Sequence, residues 1–143
     1  MLTISDLMIR KVFTLKRNDT LRDARSLMSL VRVRHIPIVD SDDIFCGLLT
    51  HRDILAATIS RLAGVDEDLQ NELDAGIPIK EIMQTDILTV SENLPLRQAA
   101  QLLLDHKYGC LPVLERGKLV GIVTEADFLR LTISLLDNLD HVV

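Results

Sequence analysis

The chain repeats itself once, and that repeat limits what it can fold into more than any single motif does. A shift of 75 residues, the distance from Ile4 to Ile79, also places Met8 on Met83, Thr14 on Thr89 and Asn18 on Asn93. The same shift pairs Leu21 with Leu96, Arg22 with Arg97, Ala24 with Ala99, Leu27 with Leu102 and Pro37 with Pro112. After one deletion in a hairpin turn the shift becomes 74, the distance from Gly47 to Gly121, and pairs Thr50 with Thr124, Asp53 with Asp127 and Leu55 with Leu129. Whatever the fold is, it must be buildable twice from roughly 60 residues, a size that buries too little surface to stand comfortably alone. Two such units can bury equivalent apolar sheet faces against each other.

Each copy reads in the same order. Ile4 to Met8 is a short helix or turn, and Val12-Phe13-Thr14-Leu15 is short and β-favouring. Asn18, Asp19 and Thr20 offer caps to a helix whose Leu21, Ala24, Leu27, Met28 and Val31 share one face. His35 to Val39 is a strand in which Pro37 marks a position whose N–H no ladder needs. A turn at Asp40–Asp43 returns the chain antiparallel through Ile44–Leu49, and a helix is expected from Thr50 to Leu62. The second hairpin turn, Glu115 to Lys118, is tighter, with Gly117 suited to positive φ. Residues 1–62 and 79–143 are thus the expected domains. The stretch 63–78 is a linker carrying an acidic helix from Asp66 to Asp74, read as a solvated face and stopped by Gly76 and Pro78. At the end of the chain Phe128, Leu131, Leu135 and Leu139 form a helical stripe, widened by Leu129 and Leu136.

One phrase of the repeat carries chemistry. Gly47-Leu48-Leu49-Thr50-His51-Arg52-Asp53 returns as Gly121-Ile122-Val123-Thr124-Glu125-Ala126-Asp127, each a strand ending and a helix starting at threonine. Such a junction gathers free backbone N–H groups, a hydroxyl and a carboxylate at the positive end of a helix, where a polar ligand can be held. Thr-x-x-Asp is equally a relative of the capping box, in which these side chains serve only the helix. Both readings stay open.

Composition narrows the classes. Net charge is −5 with no basic run, which argues against a nucleic-acid surface. No stretch approaches the roughly 18 apolar residues of a membrane span, and the N-terminus lacks a signal-peptide pattern, so a cytoplasmic location is expected. Cys46 and Cys110 lie in apolar runs and read as buried free thiols. With three Phe, one Tyr and no Trp, a base-binding pocket would need aliphatic walls. The histidines and cysteines show no metal spacing, and no Ser-His-Asp or Cys-His set has supporting context, so no catalytic residue and no metal site is expected.

Asp6-Leu7-Met8 and Glu81-Ile82-Met83 at the unit starts, His35-Ile36-Pro37-Ile38-Val39-Asp40 and Cys110-Leu111-Pro112-Val113-Leu114-Glu115, and the two Gly…Thr-x-x-Asp phrases together resemble a tandem pair of cystathionine-β-synthase (CBS) domains, a Bateman module. The resemblance spans Ile4 to about Leu136 and implies an α/β (α+β) fold of two β-α-β-β-α units about a pseudo-twofold axis, with two quasi-equivalent clefts. It further implies a non-enzymatic regulatory module that binds an adenine nucleotide or other adenosine-containing small molecule and requires no cofactor. By that resemblance Asp53 and Asp127 would accept the ribose diol, with Thr50 and Thr124 beside the ribose or phosphate. The base would lie along Val12–Thr14 and Arg34-His35-Ile36-Pro37, or along Ile87–Thr89 and Gly109-Cys110-Leu111-Pro112. Arg34, His51 and Arg52 would favour phosphate in the first copy, where the second has Gly109, Glu125 and Ala126. A homodimer through the apolar helices and a separate effector protein are the implied partners, with no membrane or nucleic acid. The competing expectation is a ligand-independent dimerisation or scaffold module with vestigial clefts.

Overall fold

In the computed structural model, residues 1–59 and 67–142 are described. Expectations for Leu62, Gly64 and Asp66 fall outside them. The elements are α1 (Leu21–Val31), β1 (His35–Val39), β2 (Phe45–Thr50), α2 (His51–Ile59), α3 (Glu67–Ala75), α4 (Leu96–Asp105), β3 (Cys110–Glu115), β4 (Lys118–Thr124) and α5 (Glu125–Val142). Single turns of tight helix at Ile4–Asp6 and Ile79–Glu81 open the two repeats.

The chain forms two compact units, and they do not coincide with the sequence repeats. Phe13–Ile87 makes a continuous unit, while Met1–Val12 joins Leu88–Val143 in a split unit. The opening segment of each repeat therefore packs with the body of the other repeat.

In the continuous unit β1 and β2 pair antiparallel, with Ile36 opposite Leu49 and Pro37 opposite Leu48. Single-residue bridges flank this ribbon: Leu15 runs parallel to Ile38, and Gln84 runs antiparallel to Leu48. The β-favouring Val12–Leu15 stretch is thus reduced to one bridge, at Leu15. Its N–H reaches the Pro37 carbonyl at 3.3 Å and its carbonyl takes the Val39 N–H at 3.1 Å, so the missing N–H of Pro37 is not needed. The split unit repeats the plan, with β3 against β4, Val90 parallel to Val113, and Ile9 antiparallel to Ile122. Arg116 (φ 53°) and Gly117 (φ 81°) form the tight turn between β3 and β4.

Each ribbon is backed by an amphipathic helix. On α1, Leu21, Ala24 and Met28 are buried at helical spacing, and they pack with Ile36, Ile38, Leu49, Ile54, Ile77 and Ile79. Thr20 and Asp23 close a capping box, with the Thr20 N–H 2.9 Å from the Asp23 carboxylate. On α4 the equivalent Leu96, Ala99 and Leu103 pack with Ile4, Met8, Leu111, Val113 and Val123.

Two expectations need correction. The acidic helix, α3, is not wholly a solvated face: Asp74 is fully buried and pairs with Arg25 Nε, while its other oxygen accepts from Gln70 Nε2 at 2.6 Å. Arg25 also donates to the Thr58 hydroxyl, so one guanidinium ties α1, α2 and α3 together. Of the two free thiols only Cys110 is buried, and Cys46 is half-exposed. On α5, Phe128 and Leu131 pack on the core of the split unit, but every described side chain from Thr132 to His141 is exposed. Among the described residues no helix is long and apolar enough to cross a membrane.

Candidate ligand-binding site

The repeated phrase sits where β2 meets α2 and where β4 meets α5. A main-chain bond closes each junction in the same way: His51 N–H to the Arg34 carbonyl at 2.9 Å, and Glu125 N–H to the Gly109 carbonyl at 3.0 Å. Thr50 is buried and Asp53 half-buried. One Asp53 oxygen takes the Thr50 N–H at 2.8 Å, and the Thr50 hydroxyl takes the Asp53 N–H at 3.2 Å, a complete reciprocal cap. The other oxygen accepts from Gln84 Nε2 at 2.8 Å. In the split unit the Asp127 carboxylate takes the Thr124 N–H at 2.9 Å and the Thr124 hydroxyl at 3.2 Å. Its second oxygen binds Arg130 at 2.7 Å. Both acids therefore cap their helices, and each presents its outward oxygen to a donor that a ribose hydroxyl could replace.

Gln84 is held for this by its own backbone, which exchanges bonds of 2.8 and 2.9 Å with Leu48. That close approach explains Gly47, because a Cβ there would lie 2.6 Å from the Gln84 carbonyl oxygen. Gly121 plays the same part, facing Met8 Sδ at 2.8 Å and the Ile9 carbonyl at 3.0 Å. Gln84 corresponds to Ile9, which has no amide to offer, and Arg130 fills that role for Asp127.

The remaining residues of the expected site divide. Thr14 and Thr89 are half-buried, each one residue before a bridge to the neighbouring strand. Ile36 and Leu111 are fully buried in the cores of their own units, and Cys110, Pro37 and Pro112 are also buried. Burial pushes the Cys110 thiol up to about 12, with the Glu125 carboxylate adding to the effect. His35 is half-buried and Arg52 exposed. Gly109 has φ 71°, so the absence of a basic side chain there goes with a left-handed backbone.

Arg34 and His51 come together, with Arg34 Nη1 3.2 Å from His51 Nδ1. They line a cavity of about 420 Å³, together with Arg25, Ser29 and Arg32 from α1 and its C-terminal cap. Met28, Val33 and Ile54 supply its apolar wall. Neither Thr50 nor Asp53 lines it. Sequence reading missed Gln84, Arg25, Arg32 and Arg130 because their roles depend on contacts that no local pattern encodes, such as the 49-residue separation between Arg25 and Asp74.

The profile of the CBS domain matches residues 4–60 and 79–134, the two repeats. The chain belongs to the CBS domain family. It is 32% identical over 127 residues to the CBS domain-containing protein YhcV of Bacillus subtilis, covering 89% of this chain and 83% of that protein. Its fold is similar to that of AcuB of Vibrio cholerae, whose name refers to acetoin utilization. The TM-score is 0.82 and the identity 37%, with 99% of this chain and 97% of that one covered. It is also similar to CBSX2 in complex with AMP, with TM-score 0.77, 26% identity, and 94% and 98% of the two chains covered. The mixed architecture, a small antiparallel ribbon backed by helices in each unit, is that of a CBS pair.

Proposed function

We propose that this CBS pair is a regulatory module that binds an adenosine-containing ligand, an adenine nucleotide, and passes its occupancy to a separate effector protein as a homodimer. The observation that carries the reading is the pair of Thr-x-x-Asp junctions, each fixing a carboxylate with one outward oxygen in reach of an exchangeable donor. The AMP complex of CBSX2, a structure of the same fold at 26% identity, supports the ligand class. Arg34, His51 and Arg52 make the continuous unit the better place for a phosphorylated ligand, while Glu125 opposes one in the split unit. No step of catalysis is assigned, and the ligand acts by shifting a conformational or binding equilibrium.

A specific observation also favours a ligand-independent association module: both acids are fully used as helix caps without any ligand. The two readings separate in a thermal-shift panel of AMP, ADP, ATP, adenosine and S-adenosylmethionine. At free ligand about 100-fold above the dissociation constant, the stabilisation is expected to be about 2.7 kcal/mol, a rise of several degrees. No shift and no calorimetric heat with any of them at millimolar concentration would leave the association module as the function.

A further inference from the structure

The arginine-lined cavity is set apart from the Thr-x-x-Asp junction, and the fold does not require its chemistry. Three arginines, a histidine and a serine line it, and no carboxylate does. Arg25 is already neutralised by buried Asp74, but Arg32 and Arg34 make no ion pair among the described residues. Two positive charges therefore face about 420 Å³ of space uncompensated.

The second copy of the repeat serves as an internal control. At the positions of Arg25, Ser29, Arg34 and His51 it carries Ala100, Leu104, Gly109 and Glu125, and only Lys107, opposite Arg32, keeps its charge. Both copies form the same helices, ribbon and junction bond, so the polar lining is a property of one copy and not a demand of packing. Arg32 adds a second sign. It caps α1 in the left-handed region, at φ 55° and ψ 36°, where glycine or asparagine costs least. A strained arginine kept where glycine would relax the backbone points to a use for its side chain.

We propose that this cavity is a separate anion site for a compact polyanion, one small molecule bearing two phosphate or carboxylate groups. Arg32 and Arg34 would each take one group, and Ser29 and His51 would supply further donors. Planar guanidinium forks match both kinds of oxyanion. The apolar wall of Met28, Val33 and Ile54 lowers the local dielectric and strengthens the attraction. This proposal does not depend on adenosine binding at Asp53.

Inorganic pyrophosphate is the probe, titrated calorimetrically into the full chain at low and at physiological salt. Binding that weakens with salt is expected, together with a loss of about tenfold in Arg32→Gly and again in Arg34→Gly. Arg32→Gly suits the left-handed cap and should fold at least as stably as the parent, which a melting curve checks. Arg22→Gln, an exposed α1 arginine outside the cavity, controls for bulk charge and should leave pyrophosphate binding unchanged. Absence of pyrophosphate binding at millimolar concentration, or equal binding by the Arg32→Gly/Arg34→Gly double variant, overturns the proposal. ADP and adenosine identify the source of the anion. If Arg32→Gly weakens ADP but not adenosine, the cavity receives the phosphates of a nucleotide; if it weakens pyrophosphate alone, the ligand is a free polyanion. Pyrophosphate binding without any adenosine binding would sink the nucleotide reading and leave the anion site standing.

Discussion

At the scale of the residue, the two aspartates show how one side chain can serve the fold and a ligand at once. Asp53 and Asp127 each spend one oxygen on the N–H three residues earlier. Asn keeps an acceptor for that cap, so Asp53→Asn should cost at most about 1 kcal/mol of stability. If the outward oxygen holds a ribose diol, the same change should weaken the best adenosine ligand at least about tenfold. Asp127→Asn should weaken it less, because Arg130 already neutralises that carboxylate and no arginine stands at Gly109. Dissociation constants of both variants check this, and equal or reversed losses would move the main site to the split unit. Arg25 is a different case. Removing it leaves Asp74 fully buried with only Gln70, and Arg25→Ala is expected to cost about 3 kcal/mol in urea unfolding. Asp74→Ala should cost less, since the Arg25 side chain is 29% exposed and can hydrate. Cys110 should resist thiol reagents at pH 8 while Cys46 reacts, because its folded pKa lies near 12 against an ordinary 9.0. The unfolded chain releases that thiol proton first. The contribution of Cys110 to stability is therefore complete below pH 9 and falls as pH rises towards 12, by at most about 1.4 kcal/mol per pH unit.

At the scale of the element, α5 and the flanking segments carry the consequences. Leu129, Ile133 and Leu136 follow i, i+4, i+7 spacing, and with Leu135 and Leu139 they leave a helix face 54–64% exposed. Burying that face against a second copy is the proposed basis of the homodimer, since single exposed leucines are ordinary but a contiguous row is not. Leu135→Glu should shift the protein towards monomer in light scattering, because it puts an unpaired charge into an apolar contact. A wild-type chain that is monomeric at micromolar concentration would remove the basis for it. The flanking segment at Gln84 is equally exacting. Gly47→Ala drives a Cβ into a backbone oxygen at 2.6 Å and should cost about 1–3 kcal/mol. Gly121→Ala should cost less, since its nearest neighbour is the Met8 sulfur at 2.8 Å, on a side chain that can turn aside.

At the scale of the whole molecule, the split unit depends on the first residues of the chain. Ile4 is fully buried in the cluster that includes Leu96, Ala99 and Leu111, and the Ile4 N–H reaches the Leu94 carbonyl at 2.9 Å. Deleting Met1–Val12 should therefore destabilise the unit made by Leu88–Val143, although the two are far apart in sequence. Denaturant unfolding of the truncated chain checks this: loss of the Ile4 side chain alone is worth about 2–5 kcal/mol. By the same reasoning the second repeat expressed as 79–143 lacks the segment that completes its sheet edge at Ile122, and should not fold cooperatively.

What the sequence determined by itself was everything that recurs locally. The repeat, the helix stripes at Leu21/Ala24/Met28 and Leu96/Ala99/Leu103, the hairpins with their prolines, and the Thr-x-x-Asp junctions are all periodic or short-range signals. Propensity and burial act on neighbours, and neighbours are legible in one dimension. Tertiary structure alone decided the exchange of opening segments between the bodies of the repeats, because a shift of 75 residues matches the copies equally well whichever body each segment joins. It also decided the burial of Asp74, which looks like one more acid in an acidic run until Arg25 arrives from 49 residues away. The donors on Asp53 and Asp127 belong to the same class. Gln84 reaches its acid only because an edge strand lies against Gly47, and Arg34 with His51 faces a cavity whose other arginines come from α1. Such contacts form between segments whose approach is fixed by packing, so neither partner carries a mark of it in its own stretch of sequence.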